Sequence, residues 1–110
     1  MAYDGTHLYY STVSRIHVLN PLTGAVIRSF PPPGGTCKAL AFGGGYLFSG
    51  NSTTGTITVF HPVTLAVRGT IAAPGGGAQS VEGLAFNPAT NELFIANQSR
   101  NTIYVGRVTF

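Results

Sequence analysis

Short apolar segments alternate with clusters of glycine, proline, asparagine and serine along the whole chain. Apolar and polar residues alternate with a period of two in RIHVLN from Arg15, TITVFH from Thr56 and TIYVGR from Thr102. This period is typical of a β-strand with one buried face, and no segment shows the period of an amphipathic helix. The pattern predicts an all-β chain of short strands joined by tight turns.

One unit of sequence occurs three times. LAFNPATNELFIAN from Leu84 is closely similar to LAFGGGYLFSGN from Leu40, and a less regular copy, MAYDGTHLYYST, opens the chain. Aligning Ala2, Ala41 and Ala85 gives repeat spacings of 39 and 44 residues. A repeat of about 40 residues that contains four antiparallel strands is typical of a β-propeller blade. The chain therefore predicts one domain of three blades, 1–38, 39–82 and an incomplete 83–110.

The repeat also predicts which strands lie innermost and which side chains are buried. The predicted innermost strands are Met1–Tyr3 (the weakest of the three), Leu40–Phe42 and Leu84–Phe86. Side chains expected to lie buried between the sheets are Leu47, Ile57, Val59, Leu93, Ile103 and Val105.

Two of the predicted hairpin turns are related by the repeat but differ at the position where a positive φ is expected. In NPLTG, the Asn20 side chain is expected to bond the turn backbone, and Gly24 is expected to take the positive φ of a bulged hairpin. The second copy, HPVTL, has Leu65 in place of the glycine. Because a left-handed leucine costs about 1 kcal/mol, we expect that turn to adopt another geometry.

Two Gly- and Pro-rich segments, PPPGGT at 31–36 and APGGGAQS at 73–80, resemble interdomain linkers in composition. Because both segments recur at the same position in the repeat, we interpret them as the connections from one blade to the next rather than as linkers between domains.

The combined pattern LAF…LF(V/I)AN…TI.V(F/L)(N/H)P.TG.V..TI resembles the YVTN/NHL-type propeller repeats over the whole chain. The chain departs from it at YYST in the first unit, at Leu65, and in the final VGRVTF. The usual WD-type repeat is excluded because the chain has no tryptophan. Proteins with the resembling repeats are frequently secreted or attached to bacterial cell surfaces, so the resemblance implies an extracellular or cell-surface location.

Eleven predicted strands make about 2.7 blades, whereas propellers close with about four to eight. Such a partial propeller closes only as part of a longer chain or by oligomerisation. Two copies would supply six blades, and three copies would supply 33 strands, close to the 32 of an eight-bladed ring. We expect a homo-oligomer, with a dimer preferred to a trimer. The segment RVTF from Arg107 is an exposed strand edge that can pair with a strand of another copy.

Charged residues make up 8% of the chain, against about 25% in an ordinary soluble domain. The six cations that give the net charge of +3 are dispersed and form no basic stripe, so nucleic-acid binding is not expected. No apolar run approaches the ~20 residues of a membrane span, and the first residues lack the pattern of a secretion signal.

The chain offers few candidates for catalysis or metal binding. His7, His17 and His61 have no ligand spacing, and the lone Cys37 allows neither an internal disulfide nor a cysteine-based zinc site. No Gly-x-Ser-x-Gly motif is present, and the repeat replaces Ser49 by an isoleucine. The sequence therefore predicts a non-enzymatic protein without a cofactor or metal. Cys37 is expected to be a small buried hydrophobe.

In propellers of this type, the loop that leads into the innermost strand lies on the rim of the central channel. Lys38 and Glu82 occupy aligned positions in that loop, and Asn51 and Asn97 end the second strands and are expected to cap the following turns. These four residues, which we call the rim set, are the candidate ligand contacts.

Three functions remain open from the sequence. The first is a binding module that presents rim loops to a protein, glycan or other surface ligand, and the second is a purely structural repeat. The third is a segment of a propeller hydrolase such as the lactonases, which implies a central metal held by carboxylates and asparagine. Glu82 is the one acid near the expected channel, so the chain departs from that ligand pattern.

Overall fold

The computed structural model describes residues 2–12, 14–33, 35, 39–51, 55–72, 81–97 and 102–108. These ranges contain eleven strands and no helix. The first sheet contains β1 (Ala2–Tyr3), β2 (Leu8–Ser11), β3 (Ile16–Leu19) and β4 (Val26–Phe30). The second contains β5 (Ala39–Gly43), β6 (Tyr46–Gly50), β7 (Thr56–Phe60) and β8 (Val67–Ala72). The third contains β9 (Val81–Asn87), β10 (Glu92–Asn97) and β11 (Thr102–Arg107).

Each sheet is an antiparallel meander in which strands follow chain order from one edge to the other. The first two sheets share an irregularity: the register shifts between Val18 and Leu19 in β3, and between Val59 and Phe60 in β7. The all-β fold of four-stranded blades in an unclosed arc, predicted from the repeat, is therefore confirmed.

The innermost strands are also as predicted. β5 packs against both β1 and β9, whereas the outer strands of different sheets make little contact. Leu40–Phe42 lies in β5, Leu84–Phe86 lies in β9, and Ala2–Tyr3 forms the short β1. The three sheets therefore fan out from one side, as the blades of a propeller do.

The expectation that the HPVTL turn departs from NPLTG is wrong. Leu65 has a φ of 62°, close to the 73° of Gly24. Its backbone N–H donates to the His61 carbonyl at 2.9 Å, as that of Gly24 donates to the Asn20 carbonyl at 2.7 Å. The Leu65 side chain packs against the buried cluster between the first two sheets, and this burial offsets the backbone strain.

Two apolar clusters fill the spaces between the sheets. Between the first and second, the buried residues are Ala2, Tyr9, Ile16, Val18, Phe30, Leu40, Leu47 and Phe60. Between the second and third, they are Ala39, Ala41, Phe48, Ile57, Val59, Leu93 and Ile95. The rings of Phe30 and Phe60 meet edge to face at 6.1 Å, and those of Phe48 and Phe86 stack at 5.5 Å. Each cluster is supplied by two neighbouring sheets, so each blade needs its neighbour in order to bury its apolar face.

Four of the six predicted core residues are confirmed: Leu47, Ile57, Val59 and Leu93 are all buried. The prediction is wrong for Ile103, which is 69% exposed, and for Val105, which is 53% exposed. Both lie on β11, on the face of the third sheet that points away from the second sheet. Residues at the same repeat positions in the second sheet are buried because the third sheet covers them, and no described residue covers Ile103 and Val105.

Candidate functional site

The strand register places Asn51 and the backbones of Glu82 and Asn97 at equivalent strand ends of two neighbouring sheets. Asn51 directly follows Gly50, which pairs with Ala39 at the start of β5. Asn97 pairs with Val81 at the start of β9, and the register shifts there, so that Glu82 has no partner across the strand pair. Lys38 lies outside the described residues, as do the side chains of Glu82 and Asn97.

Asn51 closes a turn, as predicted. Its backbone N–H donates to the Thr56 carbonyl at 2.9 Å, and its carbonyl accepts from the N–H of Gly55 at 3.0 Å. The residue is 9% exposed, and its Nδ2 lies 3.5 Å from the position that a Cβ on Gly35 would occupy. The Asn51 side chain is therefore enclosed beside the segment that leads into the second blade.

A bulge is often used to aim a side chain near a functional surface, because the extra residue is free of the ladder. Glu82 occupies such an irregularity, and Gly83 resumes the pairing with Ala96. Sequence alignment predicts Glu82 as a rim residue, but it does not predict the bulge, because the register between β9 and β10 cannot be read from the sequence.

Sequence analysis missed a polar pair in the first blade, formed by Asp4 and Tyr9. One carboxylate oxygen of Asp4 accepts from the backbone N–H groups of Thr6 and His7 at 2.8 and 2.6 Å. The other oxygen accepts from the Tyr9 hydroxyl at 2.9 Å. The Asp-Gly-Thr order after a strand is the signal that predicts the two backbone bonds. The tyrosine bond depends on the pairing of Ala2 with Tyr9, which the sequence does not reveal.

These contacts shift both pKa values. Burial raises the pKa of the Asp4 carboxyl, but the hydrogen bonds from His7, Thr6 and Tyr9 outweigh it, so the net pKa is lowered. Burial, reinforced by the bond to Asp4, raises the pKa of Tyr9 to about 12. The carboxylate is thus held ionised by three donors, an arrangement that stabilises the turn between β1 and β2.

The described histidines have structural partners. His61 Nδ1 accepts from the backbone N–H groups of Val63 and Thr64 at 3.1 and 3.2 Å, so it caps its turn as Asn20 caps the related turn in the first sheet. His17 lies on β3, where its Nδ1 is 2.6 Å from the Ser29 hydroxyl and its ring stacks on Tyr10. Within the described ranges, no three His, Cys, Asp or Glu side chains come together as a metal site. Cys37 is not among the described residues.

Ser49 is 3% exposed and pairs with Thr58 in the second sheet, so its hydroxyl is enclosed within the blade. In the part of the chain that the structure describes, no helix is long and apolar enough to cross a membrane.

Exposed apolar residues of the described chain lie on the outward faces of the first and third sheets. On the third sheet, which we call the tail face, a shallow groove of about 270 Å³ is lined by Gly83, Leu84, Ala85, Phe94, Ala96 and Ile103. On the first sheet, which we call the head face, Tyr3 is 55%, Tyr10 43% and Val26 58% exposed. The arc therefore ends in uncovered apolar sheet faces at both sides.

Solved structures contain the same arrangement of sheets. Raptor from Chaetomium thermophilum matches over 97% of this chain with a TM-score of 0.71 and 14% identity. A chain of the mitotic checkpoint complex matches over 96% with a TM-score of 0.71 and 17% identity. The WD40 repeats of RRP9 match over 96% with a TM-score of 0.63 and 18% identity.

The present chain spans 11%, 33% and 36% of those three chains, respectively. No protein-family model and no curated protein matches the sequence. At these identities the likeness shows the fold alone. The chain is a partial β-propeller, with three of the blades that such a fold repeats around its axis.

Proposed function

We propose that this chain is a non-enzymatic scaffold module, an arc of a propeller with YVTN/NHL-like repeats that presents its rim to a protein partner. The observation that carries the proposal is the three-blade arc itself. Nearly the whole of this chain matches part of a chain in the mitotic checkpoint complex. Propeller blades place their connecting loops at the two ends of the strands, where another protein has access to several blades at once.

The proposed contact is the rim set of Lys38, Asn51, Glu82 and Asn97. Support comes from the register, which puts the backbones of Asn51 and Asn97 at matching strand ends. Glu82 has no Cα partner on β10, and we propose that its side chain meets the protein partner. We assign blade boundaries at 1–38, 39–82 and 83–110. Lys38 then directly precedes β5, and Glu82 is the second residue of β9.

Site-specific photo-crosslinking tests this function. A photoreactive residue is placed at Glu82 in one variant and at Leu22, which is 93% exposed on an outer turn, in a matched control. Both are exposed to an extract of the source cells, and crosslinked proteins are identified by mass spectrometry. We expect a discrete protein at Glu82 that is absent at Leu22 and is lost when Lys38→Glu is added. Equal crosslinking at both positions would refute a rim interface.

Stoichiometric binding of calcium or zinc by the purified protein, measured by X-ray fluorescence, would overturn the scaffold proposal in favour of a metal-dependent propeller hydrolase. If neither a metal nor a rim partner is found, the purely structural interpretation replaces it.

We also propose that copies of the chain close into a ring, as a dimer before a trimer. The support is the pair of uncovered faces at the two sides of the arc, since stacked blades normally supply a propeller's core. The mass in solution tests this: light scattering is expected to give about twice the 11.5 kDa of one chain. A folded monomer at ~100 μM would overturn the ring.

A further inference from the structure

The tail face repeats, position by position, a surface that elsewhere in this chain is already covered by a blade. In the second sheet, the side that faces the third sheet carries Ala41, Phe48, Ile57 and Val59. The same repeat positions on the tail face hold Ala85, Phe94, Ile103 and Val105. All four pairs are identical residues. A surface conserved so closely within one chain is built to receive a blade.

The head face repeats the complementary surface. The side of the third sheet that covers the second presents Phe86, Leu93, Ile95 and Tyr104. The same repeat positions on the head face hold Tyr3, Leu8, Tyr10 and His17, which include two aromatic rings that are largely exposed. Since Phe86 stacks on Phe48 at 5.5 Å, the repeat places the ring of Tyr3 opposite Phe94 when a head face covers a tail face.

Two positions differ between the faces: Gly83 replaces Ala39, which removes one methyl group, and Asn87 replaces Gly43. The chain shows that the second difference is tolerated. Phe86 lies over Gly43, where a Cβ would come within 2.1 Å of the ring. The tail face has Asn87 in that place. The first sheet has Asp4 at the same position, and Phe42 of the second sheet nonetheless packs against the cluster beside it. Both Asp4 and Asn87 accept backbone N–H groups of their own turns, so Asn87 resembles the residue beside which the second sheet already packs.

We propose that the tail face is covered by the head face of a second copy of this chain. This assignment rests on the proposed ring and names its interface: Phe94, Ile103 and Val105 of one copy against Tyr3, Leu8 and Tyr10 of the next. Such head-to-tail contacts close into a ring when the rotation per copy permits it.

The size of the faces favours closure over a single contact. Three strands ~4.8 Å apart, each of about six residues rising ~3.3 Å per residue, give a face of roughly 300 Å². One contact between two such faces therefore buries about 600 Å², which is typical of a crystal contact, whereas two contacts reach about 1,200 Å², the lower limit of specific interfaces. A two-copy ring makes both contacts at once.

Paired substitutions on the two faces test the assignment by light scattering. Ile103→Asp damages the tail face and Tyr10→Asp the head face, and both side chains are exposed in the single chain, so the fold should persist by circular dichroism. Val63→Asp is the matched control because Val63 is 69% exposed, as Ile103 is, but lies on a turn outside both faces. We expect the control to keep the mass of the wild type and each face variant to become a monomer.

Mixing the two face variants separates head-to-tail from face-to-face pairing. The intact tail of Tyr10→Asp and the intact head of Ile103→Asp can form one contact, so the mixture should regain a weak two-chain species that neither variant forms alone. If Tyr10→Asp alone stays oligomeric, the head face does not take part in the contact. If Ile103→Asp alone stays oligomeric, the tail face does not take part in it. Either result overturns the assignment and leaves the ring standing. A monomeric wild type overturns both, while the rim crosslinking result is unaffected.

Discussion

Replacement of Ile57 by alanine tests the register on which the blade arrangement depends. Ile57 is 0% exposed and lies in the cluster between the second and third sheets. The substitution removes a branched side chain down to its Cβ, and the lost burial costs about 0.8 kcal/mol for each carbon removed. The cavity left between two sheets adds to that cost, so the free energy of unfolding should fall by about 2–5 kcal/mol.

Ile103 offers a control at the same position of the next repeat. Its side chain is 69% exposed in the single chain, so Ile103→Ala should cost less than about 1 kcal/mol in that state. Both variants are compared with the wild type by urea unfolding at several protein concentrations. The effect at Ile57 should be independent of concentration, whereas that at Ile103 should grow where copies associate. A cost below about 1 kcal/mol at Ile57, or equal costs at both positions in the monomer, would refute the register.

Three further substitutions probe particular contacts by urea unfolding. Gly43→Ala should destabilise by about 1–3 kcal/mol, because its new Cβ would lie 2.1 Å from a ring carbon of Phe86. Leu65→Gly should change stability by less than about 1 kcal/mol, since relief of the left-handed strain is offset by lost packing. Asp4→Asn should keep the turn. The variant should lose less free energy of unfolding than the wild type when the pH is lowered into the acid range. The lowered pKa of Asp4 makes its contribution complete above about pH 4, the ordinary carboxyl value, and lost as the pH falls through the folded-state pKa.

Each of these has a control in the chain. Gly69→Ala meets open space and should change stability by no more than about 0.5 kcal/mol, so an equal loss at both glycines would contradict the proposed clash. Gly24→Ala adds left-handed strain with no neighbour within 4 Å to offset it, and should cost about 1 kcal/mol. Stabilisation by Leu65→Gly well beyond 1 kcal/mol would show that its packing contributes nothing. An unchanged acid profile in Asp4→Asn would contradict the role of its hydrogen bonds.

Local sequence signals were sufficient to predict the blade architecture. Period-two strands and the phase of the repeat identify the innermost strands, and repeat alignment gives the cores around Leu47 and Ile57. The same alignment failed at Ile103 because it assigns equal burial to equivalent positions. Burial depends on the neighbouring blade, and a repeat pattern does not state which blade has no neighbour.

The errors in the turns and polar contacts have a different origin. Propensity alone disfavours Leu65 with a positive φ, but its packing against the first cluster is a tertiary contribution that single-residue rules omit. The bond between Tyr9 and Asp4 likewise depends on strand pairing. For the rim set, alignment predicted the strand ends correctly, while the bulge at Glu82 follows from a register that the sequence does not reveal.

A tandem fusion of two copies through a flexible linker gives the final prediction. If the head face of one copy covers the tail face of another, the fusion makes both contacts of the ring intramolecular, at an effective concentration in the millimolar range. The linker needs about the length of the chain's own crossing at 73–80, which joins an outermost to an innermost strand. We expect a monodisperse species with the mass of one fused chain and an unfolding midpoint that no longer depends on protein concentration.

The same fusion carrying Ile103→Asp in both copies should lose this closure and expose its apolar faces, detectable as binding of a hydrophobic dye. If the unmodified fusion instead assembles into larger multimers, the two faces do not meet at the angle that a six-bladed ring requires, because head-to-tail contacts that fail to close continue into open chains.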